Sequence, residues 1–565
     1  MDNRRMFLLA ALGLVGYLIF NAWMQDYGQA QRRAAPTRPA VTQNAQPAPA
    51  TSSSQMPAPA SATPAAPTTQ QPQIAGATKL VNGRTVLVTT DVLQVKINTA
   101  GGDLRAVALP KYPQTEAKNS PPVELLHPDP SQRLILQTGL NGARLPSDQA
   151  TFTAAAGAYH LQPGQDTLKV PLVWRHDGIT VIKTYTFHRG SYKVDLTYRI
   201  ANASGAPISG STWARFRRHA VPVSHNMFSI AARTYSGPAL FNGNDYNKLQ
   251  YDDIKDKPVS KIATGGWVAM VNQYFVAAVI PPAKMKVHYY AKALGGDRYV
   301  IGAVLPKFSV APGQEYRRQS LLFLGPKLQD RLASVAPGLP RTVDYGKFTI
   351  IAQPMFKVLE AIESVVGNWG WSILLLVFLI QLVFFPLQQK AGRSTAKMRE
   401  FQPRIKAIQE RYKDDKQRLS QAMMELYKKE KINPMGGCLP MLLQVPLYFA
   451  LYYVLLYSVE LRHAPFVFWL TDLSAPDPLY VLPILYGIAN FAQMRVNPQP
   501  ADKMQARIMM VMPLGVMAFS FFMPAGLVLY WISNAVLRTA QQWHINRTLH
   551  LPGQARKKPG KIKKR

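Results

Sequence analysis

Residues 433–446 read Asn433-Pro434-Met435-Gly436-Gly437-Cys438-Leu439-Pro440-Met441-Leu442-Leu443-Gln444-Val445-Pro446, and they join a basic polar stretch to an apolar stretch that reaches Val459. The run contains three prolines and two glycines. Proline removes a hydrogen-bond donor, and backbone left unpaired at membrane depth survives only where protein or a water-lined cavity covers it. The run therefore predicts the cytosolic end of an irregular membrane helix beside a hydrated recess.

The composition of the chain favours an anionic partner. Its 565 residues include 65 Lys and Arg against 31 Asp and Glu, a formal net charge of +34. Nucleic acid, ribosomal RNA and anionic lipid all fit this excess, and only the position of the charge decides among them. The single cysteine, Cys438, excludes an intramolecular disulfide and is interpreted as a packing residue.

The N-terminal segment predicts a membrane anchor followed by a tether. Arg4 and Arg5 precede an uncharged stretch, residues 6–25, which is long enough to span a bilayer. Small residues do not end this stretch, so an uncleaved signal anchor is favoured over a cleaved signal peptide. Residues 34–77 are dominated by Pro, Ala, Thr, Ser and Gln, a composition that predicts a flexible tether.

Short alternating runs fill residues 79–324, among them Thr85–Thr89, 179–185 and 192–198. Gly, Asn, Asp and Pro separate these runs. The pattern predicts a large antiparallel β-sandwich in which each sheet has one packed face and one solvated face.

The C-terminal half predicts helices. Residues 350–366 place Ile351, Met355, Val358, Leu359 and Ile362 on one face, which is typical of a helix lying in the outer membrane interface. Five membrane spans are predicted to follow the anchor, at residues 369–387, 441–459, 479–496, 508–523 and 526–543.

The charges of the loops support this topology. Residues 388–435 carry 13 Lys and Arg against six acidic residues, and the chain after His544 carries eight basic residues and no acidic one. Residues 461–478 carry one Arg and two Asp. Basic loops lie on the cytosolic side by the positive-inside rule, so both termini are predicted to be cytosolic.

Two basic cytosolic segments are candidate contact sites. In the first, helical spacing of apolar residues predicts two amphipathic helices joined at Asp414-Asp415, either a solvated hairpin or a mobile arm that meets nascent chains or targeting factors. The spaced residues are Met398, Phe401, Ile405, Ile408, Tyr412, Leu419, Met423 and Leu426. The second is the tail, which is predicted to contact phosphates of ribosomal RNA or of anionic lipid through Arg556, Lys557, Lys558, Lys561, Lys563, Lys564 and Arg565.

Polar side chains recur in the cytosolic halves of the predicted spans. They are Gln381, Gln444, Asn490, Gln493, Asn534, Arg538 and Gln541. Single amides could form hydrogen bonds between helices. Several polar side chains at one level indicate instead a polar groove that is open to the cytosol or inner leaflet and closed on the outer side. In the last span, one helical face carries Trp531, Asn534, Arg538 and Gln541.

The run at 433–446, together with Gly526-Leu527-Val528-Leu529-Tyr530-Trp531, Asn534 and Gln541-Gln542, resembles the YidC/Oxa/Alb membrane protein insertases of the Gram-negative type. The resemblance covers about the last 220 residues; upstream it rests on domain order. It implies a periplasmic β-super-sandwich and a client that slides along the third and fifth spans. It also implies the Sec translocon with its accessory subunits as partners. The other expected partners are nascent inner-membrane proteins, the ribosome, anionic phospholipids, and the signal recognition particle with its receptor.

The chain departs from the family at one position. These insertases characteristically hold an arginine in the groove a few residues before the proline of the second span, and the matching residue here is Gln381. Gln381 lies twelve residues after Trp369, and Arg538 lies twelve residues after Gly526. Arg538 is therefore predicted at the same depth, where it either supplies the groove charge or extends to inner-leaflet headgroups.

The sequence thus predicts a mixed, multi-domain inner-membrane insertase and chaperone with no cofactor, no metal and no catalytic residue, since nucleotide-binding and hydrolase motifs are absent from it. The alternatives are a secondary transporter, which internal repeats and paired acidic residues would favour, and a membrane-anchored periplasmic carbohydrate-binding protein. The expected domains are a signal anchor (1–25), a linker (26–78), a sandwich (79–340), an interfacial helix (345–367), a five-span core (368–545) with a hairpin (390–433), and a basic tail (546–565).

Overall fold

A computed structural model describes residues 80–220, 234–413, 415–430, 439–496 and 503–548. The predicted signal anchor, the linker, Cys438 and the basic tail from residue 549 onward lie outside the described residues. Residues 407–429 belong to one compact unit, and the other described residues belong to a second.

The predicted sandwich is confirmed, because twenty strands form two sheets within the described part of the chain. The strands are β1 (Thr85–Thr89), β2 (Gln94–Asn98), β3 (Asp103–Pro113), β4 (Pro122–Leu126), β5 (Leu134–Asn141), β6 (Thr153–Ala154), β7 (Ala158–His160), β8 (Thr167–His176), β9 (Ile179–His188), β10 (Lys193–Asn202), β11 (Ile208–His219), β12 (Gly237–Phe241), β13 (Tyr246–Lys248), β14 (Val259–Thr264), β15 (Trp267–Val271), β16 (Phe275–Ile280), β17 (Lys286–Gly295), β18 (Arg298–Val304), β19 (Phe308–Val310) and β20 (Glu315–Pro326). The first sheet has the order β14-β17-β18-β11-β5-β3-β2-β1-β7, with β4 and β19 beside β3 and β11, and the second has the order β13-β12-β15-β16-β20-β10-β9-β8-β6.

One strand pair departs from the antiparallel prediction. Strand β7 pairs with β1 in parallel, with Val88 opposite Tyr159. Parallel neighbours need a long crossover, and the chain supplies it because β2 to β6 lie between the two strands.

Alternation along β9 buries every second residue, as the sequence predicts for a packed face. Lys183 occupies one of these inward positions and is fully buried. Its Nζ donates to the carbonyl oxygens of Gly101 at 2.9 Å and Thr138 at 2.8 Å, which links the two sheets. Burial lowers the pKa of Lys183 to about 7, although the nearby Asp103 carboxylate acts in the opposite direction.

Ten α-helices are described. They are α1 (Tyr251–Asp256), α2 (Gln329–Ala333), α3 (Thr349–Val366), α4 (Trp369–Glu400), α5 (Gln402–Arg411), α6 (Lys416–Lys429), α7 (Leu439–Tyr457), α8 (Val481–Val496), α9 (Lys503–Ser520) and α10 (Ala525–Thr548). The predicted span ended at residue 387, but helix α4 continues past Pro386 to Glu400. Within the described residues, the stretch 369–394 is the one helix both long and apolar enough to cross a membrane, and 443–457 and 510–520 are shorter apolar stretches.

Helix α3 is amphipathic, and the protein buries only part of the predicted apolar face. Met355 and Leu359 are buried, together with Ala352 and Phe356. Val358, which the sequence analysis placed on the same face, is 44% exposed. The protein therefore covers one stripe of the helix and leaves a second apolar stripe uncovered.

The hairpin contains two helices, as predicted. Helix α6 begins after Asp415, whose carboxylate Oδ1 accepts the backbone N–H groups of Gln417 at 3.0 Å and Arg418 at 2.9 Å. This is the capping arrangement that satisfies the free N–H groups at a helix start.

The sandwich contacts the helical region at the end of α7. The Gln273 side chain donates to the carbonyl oxygen of Leu456 at 2.8 Å, and Arg462 donates to the carbonyl oxygen of Pro113 at 2.7 Å. The hydroxyl groups of Tyr345 and Ser458 lie 3.1 Å apart. These polar contacts fix the end of α7 and the loop after it to the sandwich and to the segment that follows the sandwich.

Candidate functional site

Three helices bring their amides together at Asn534, in the middle of α10. The Nε2 atoms of Gln381 on α4 and Gln444 on α7 donate to Asn534 Oδ1 at 2.5 Å and 2.7 Å. Asn534 Nδ2 donates to the carbonyl oxygen of Tyr530, one turn earlier, at 3.0 Å. Asn534 is 1% exposed, so its side-chain oxygen Oδ1 is a buried acceptor for donors from two other helices.

The start of α10 explains how close these helices come. The backbone N–H of Gly526 donates to the carbonyl oxygen of Leu473 at 2.9 Å, so the loop before α8 satisfies a free donor of the helix terminus. A Cβ atom at Gly526 would lie 2.9 Å from the Leu455 side chain on α7 and 3.2 Å from Ile373 on α4. Glycine at this position therefore allows both helices to pack against α10.

A cavity of about 310 Å³ opens beside this amide cluster. Four helices line it, through Gln444, Tyr448, Tyr486, Asn490, Gln493, Met494, Met512, Pro513, Val516, Trp531, Asn534, Ala535 and Arg538. The Trp531 ring lies against Tyr486, with ring centroids 5.3 Å apart. The lining thus mixes aromatic side chains with amides and one guanidinium group, which suits a ligand with both apolar and polar parts.

The structure brings six of the eight predicted groove residues to this cavity, while Gln381 lies behind Asn534 and Gln541 is outside the lining. The side-chain amide of Asn490 donates within its own helix, to the carbonyl oxygen of Tyr486 at 2.9 Å. The Nε and Nη2 atoms of Arg538 are buried without a hydrogen-bond partner among the described residues.

The predicted common depth of Gln381 and Arg538 is wrong by about one turn. Gln381 reaches Asn534, and Arg538 lies four residues further along α10, about 6 Å along the axis. The prediction counted residues from the start of each helix and so assumed that α4 and α10 begin at the same depth and run parallel. The packing at Gly526 sets the relative level instead.

Sequence reasoning missed Gln388, Tyr448 and Tyr530. Gln388 Nε2 donates to Gln381 Oε1 at 2.5 Å, and the Tyr448 and Tyr530 rings meet edge to face with centroids 5.5 Å apart. Gln388 lies seven residues after Gln381, two turns along the same face of α4. That spacing was a usable signal. The tyrosines gave none, because they resemble ordinary apolar packing residues.

The fold and site define a membrane protein with a large β-sandwich and a polar cavity between helices. Residues 85–358 match the YidC periplasmic domain, and residues 361–552 match the 60Kd inner membrane protein family. The chain is 43% identical over 559 residues to the membrane protein insertase YidC of Nitrosococcus oceani, covering 98% of this chain and 100% of that protein. It is 42% identical over 561 residues to the insertase of the same name from Pseudomonas fluorescens, covering 97% and 98%. The chain therefore belongs to the YidC family of membrane protein insertases.

A crystal structure of an active YidC insertase with its first transmembrane domain resolved is similar over 82% of this chain and 92% of that chain. The sequence identity is 16% and the TM-score is 0.36.

Proposed function

We propose that the insertase carries short hydrophilic segments of its clients into the cavity beside Asn534, from the cytosolic side of the membrane. The groove lowers the cost of moving a polar segment out of water, because part of the transfer into hydrocarbon is avoided. Burial of the client's apolar helix in lipid then drives insertion. Five core spans after a signal anchor, with both termini cytosolic, form the proposed topology.

The observation that carries this proposal is the set of buried polar atoms without a partner at the cavity. Gln444 Oε1 and the Nε and Nη2 atoms of Arg538 line the cavity and lack one among the described residues. Unpaired buried polar atoms are costly, so they are usually explained by water or by a ligand. A hydrated groove that accepts polar segments satisfies them.

Arg538 is the proposed source of positive charge in the groove. Its guanidinium group lines the cavity, and Gln381, the position where the family characteristically has arginine, contacts Asn534 one turn away. A cation in a site of low dielectric attracts an acidic segment more strongly than it would in water. Arg538 therefore favours clients with acidic translocated segments.

The test measures insertion by protease protection in cells depleted of their own insertase, with variants at equal abundance. Arg538→Ala should reduce insertion of acidic clients about tenfold or more, the equivalent of about 1.4 kcal/mol, and affect neutral clients less. Gln381→Arg should restore much of the loss. Arg547→Ala is the matched control, because Arg547 stacks on Trp543 with its guanidinium carbon 3.7 Å from the ring centroid, near the end of α10.

Two results would contradict this role. If Arg538→Ala affects acidic and neutral clients alike, the side chain serves as a headgroup anchor. If the double variant inserts no better than Arg538→Ala, the groove works by polarity without a fixed charge.

Partners are proposed from the two basic cytosolic segments. The hairpin is a mobile arm for nascent chains, the signal recognition particle and its receptor. The tail contacts ribosomal RNA or anionic lipid, because clustered Lys and Arg bind phosphates through charge. Cooperation with the Sec translocon and its accessory subunits rests on the family resemblance.

A further inference from the structure

A chain of four amides runs from the cavity towards the cytosolic part of α4. Gln388 donates to Gln381, Gln381 donates to Asn534, and Gln444 donates to the same Asn534 oxygen, at 2.5 Å, 2.5 Å and 2.7 Å. We call these four residues the amide ladder. Gln381 and Gln388 are seven residues apart, so the ladder extends about 10 Å along α4.

Hydrogen bonding between helices accounts for only part of the amide ladder. The bonds to Asn534 join α4 and α7 to α10, and this is the ordinary structural use of amides in membrane proteins. The bond from Gln388 to Gln381 lies within α4 and joins no helices. Gln388 is half-buried, and its Oε1 has no partner in the described part of the chain. An amide so placed has hydrogen-bonding capacity that packing does not use.

The free capacity of the site includes acceptors as well as donors. The Oε1 atoms of Gln388 and Gln444 are buried acceptors without a partner among the described residues. Arg538 contributes two buried donor nitrogens, Nε and Nη2, that also lack one there. A carboxylate would use only the donors. A ligand with N–H and C=O groups in alternation would use both.

We infer that the amide ladder binds the backbone peptide groups of the client's translocated segment, with Gln388 at the cytosolic end. This inference rests on the proposed function of the groove and names what the groove recognises. An extended chain presents one N–H and one C=O per residue, whatever its side chains are, and it rises about 3.3 Å per residue. Recognition through these groups is independent of client sequence.

The energetics suit transient binding. Peptide groups would replace ordered water at the ladder, and an exchange that reproduces the hydrogen bonds of water changes the free energy little. The client segment is therefore held without being trapped. Arg538 then adds a preference for acidic segments to a binding mode that is general.

The experiment compares clients that differ only in backbone donors. Translocated segments of equal length are built from Gly and Ser, or with alternate residues replaced by Pro, which has no N–H group. The measured quantity is the ratio of insertion of the Gly/Ser client to insertion of the Pro client. It is measured for the full-length wild-type insertase and for a double variant that carries Gln388→Leu and Gln444→Leu. The double variant should lower this ratio by about two- to tenfold, the equivalent of one net hydrogen bond.

Controls separate this effect from stiffness and folding. The stiffness of Pro affects insertion by both proteins alike, so the change in the ratio isolates the N–H groups. Gln389→Leu, at the neighbouring position outside the ladder, should keep the wild-type ratio. All variants are compared at equal abundance, and the Tm of each is measured as well, because Gln444→Leu also removes the hydrogen bond from α7 to Asn534.

The outcomes distinguish the two proposals. An unchanged ratio in the double variant, while Arg538→Ala still impairs acidic clients, overturns backbone recognition and leaves the groove standing. If neither the double variant nor Arg538→Ala changes insertion of any client, the groove itself is refuted.

Discussion

Replacing Asn534 with leucine should destabilise the helical region, because this residue is the acceptor that ties α4 and α7 to α10. The change removes two hydrogen bonds between helices, of 2.5 Å and 2.7 Å, and leaves two buried amides unpaired. Hydrogen bonds between membrane helices contribute about 0.6 kcal/mol on average and up to about 1.7 kcal/mol. We expect Asn534→Leu to lower the free energy of unfolding by about 1–3 kcal/mol.

Thermal unfolding of the purified protein in detergent provides the assay, and the expected decrease in Tm is several degrees. Asn490→Leu is the matched control. Asn490 also lines the cavity, but its Nδ2 atom donates within its own helix, to the carbonyl oxygen of Tyr486 at 2.9 Å. Its loss should change the free energy of unfolding by less than about 0.5 kcal/mol. Equal Tm values for the two variants would refute the assignment of Asn534 as the acceptor joining the helices.

Three further predictions concern the sandwich, its junction and the tail. Deleting residues 79–325 should preserve insertion of a short-tailed client, because the groove, hairpin and tail follow Ile350; complete loss of insertion by a stable truncated protein would contradict this. Burial raises the pKa of Glu460 from 4.5 to about 7, so between these pH values the folded state holds a proton that the unfolded state releases. Glu460→Gln should therefore raise the free energy of unfolding by up to about 3 kcal/mol near pH 8. Below about pH 4.5 it should leave the free energy of unfolding unchanged. Stability of the wild type thus falls as pH rises between these values, and a pH-independent difference in unfolding midpoints would count against the buried carboxyl. Ribosome co-sedimentation should weaken on deletion of residues 554–565 and fall steeply with salt; binding insensitive to both would exclude the tail as the contact.

The sequence by itself determined the elements and their chemical character. Alternating residues in 179–185 predicted β9, apolar spacing predicted both helices of the hairpin, and uncharged runs located the helices of the core. These signals are local, because the periods of strands and helices are properties of the chain itself. The run at 433–446 determined the family, since its residues are close together in the chain. Polar residues within apolar stretches also marked Gln444 and Asn534 as unusual without any structure.

Tertiary structure decided which of these residues meet. Depth counting paired Gln381 with Arg538, whereas the close packing at Gly526 shifts α10 and pairs Gln381 with Asn534. No local pattern predicts the burial of Lys183 between two sheets, because its partners are the backbone carbonyl oxygens of Gly101 and Thr138, far away in the chain. Hydrogen bonds between distant residues depend on the relative level and rotation of packed elements. Those quantities are set by the sum of all contacts, so no local pattern contains them.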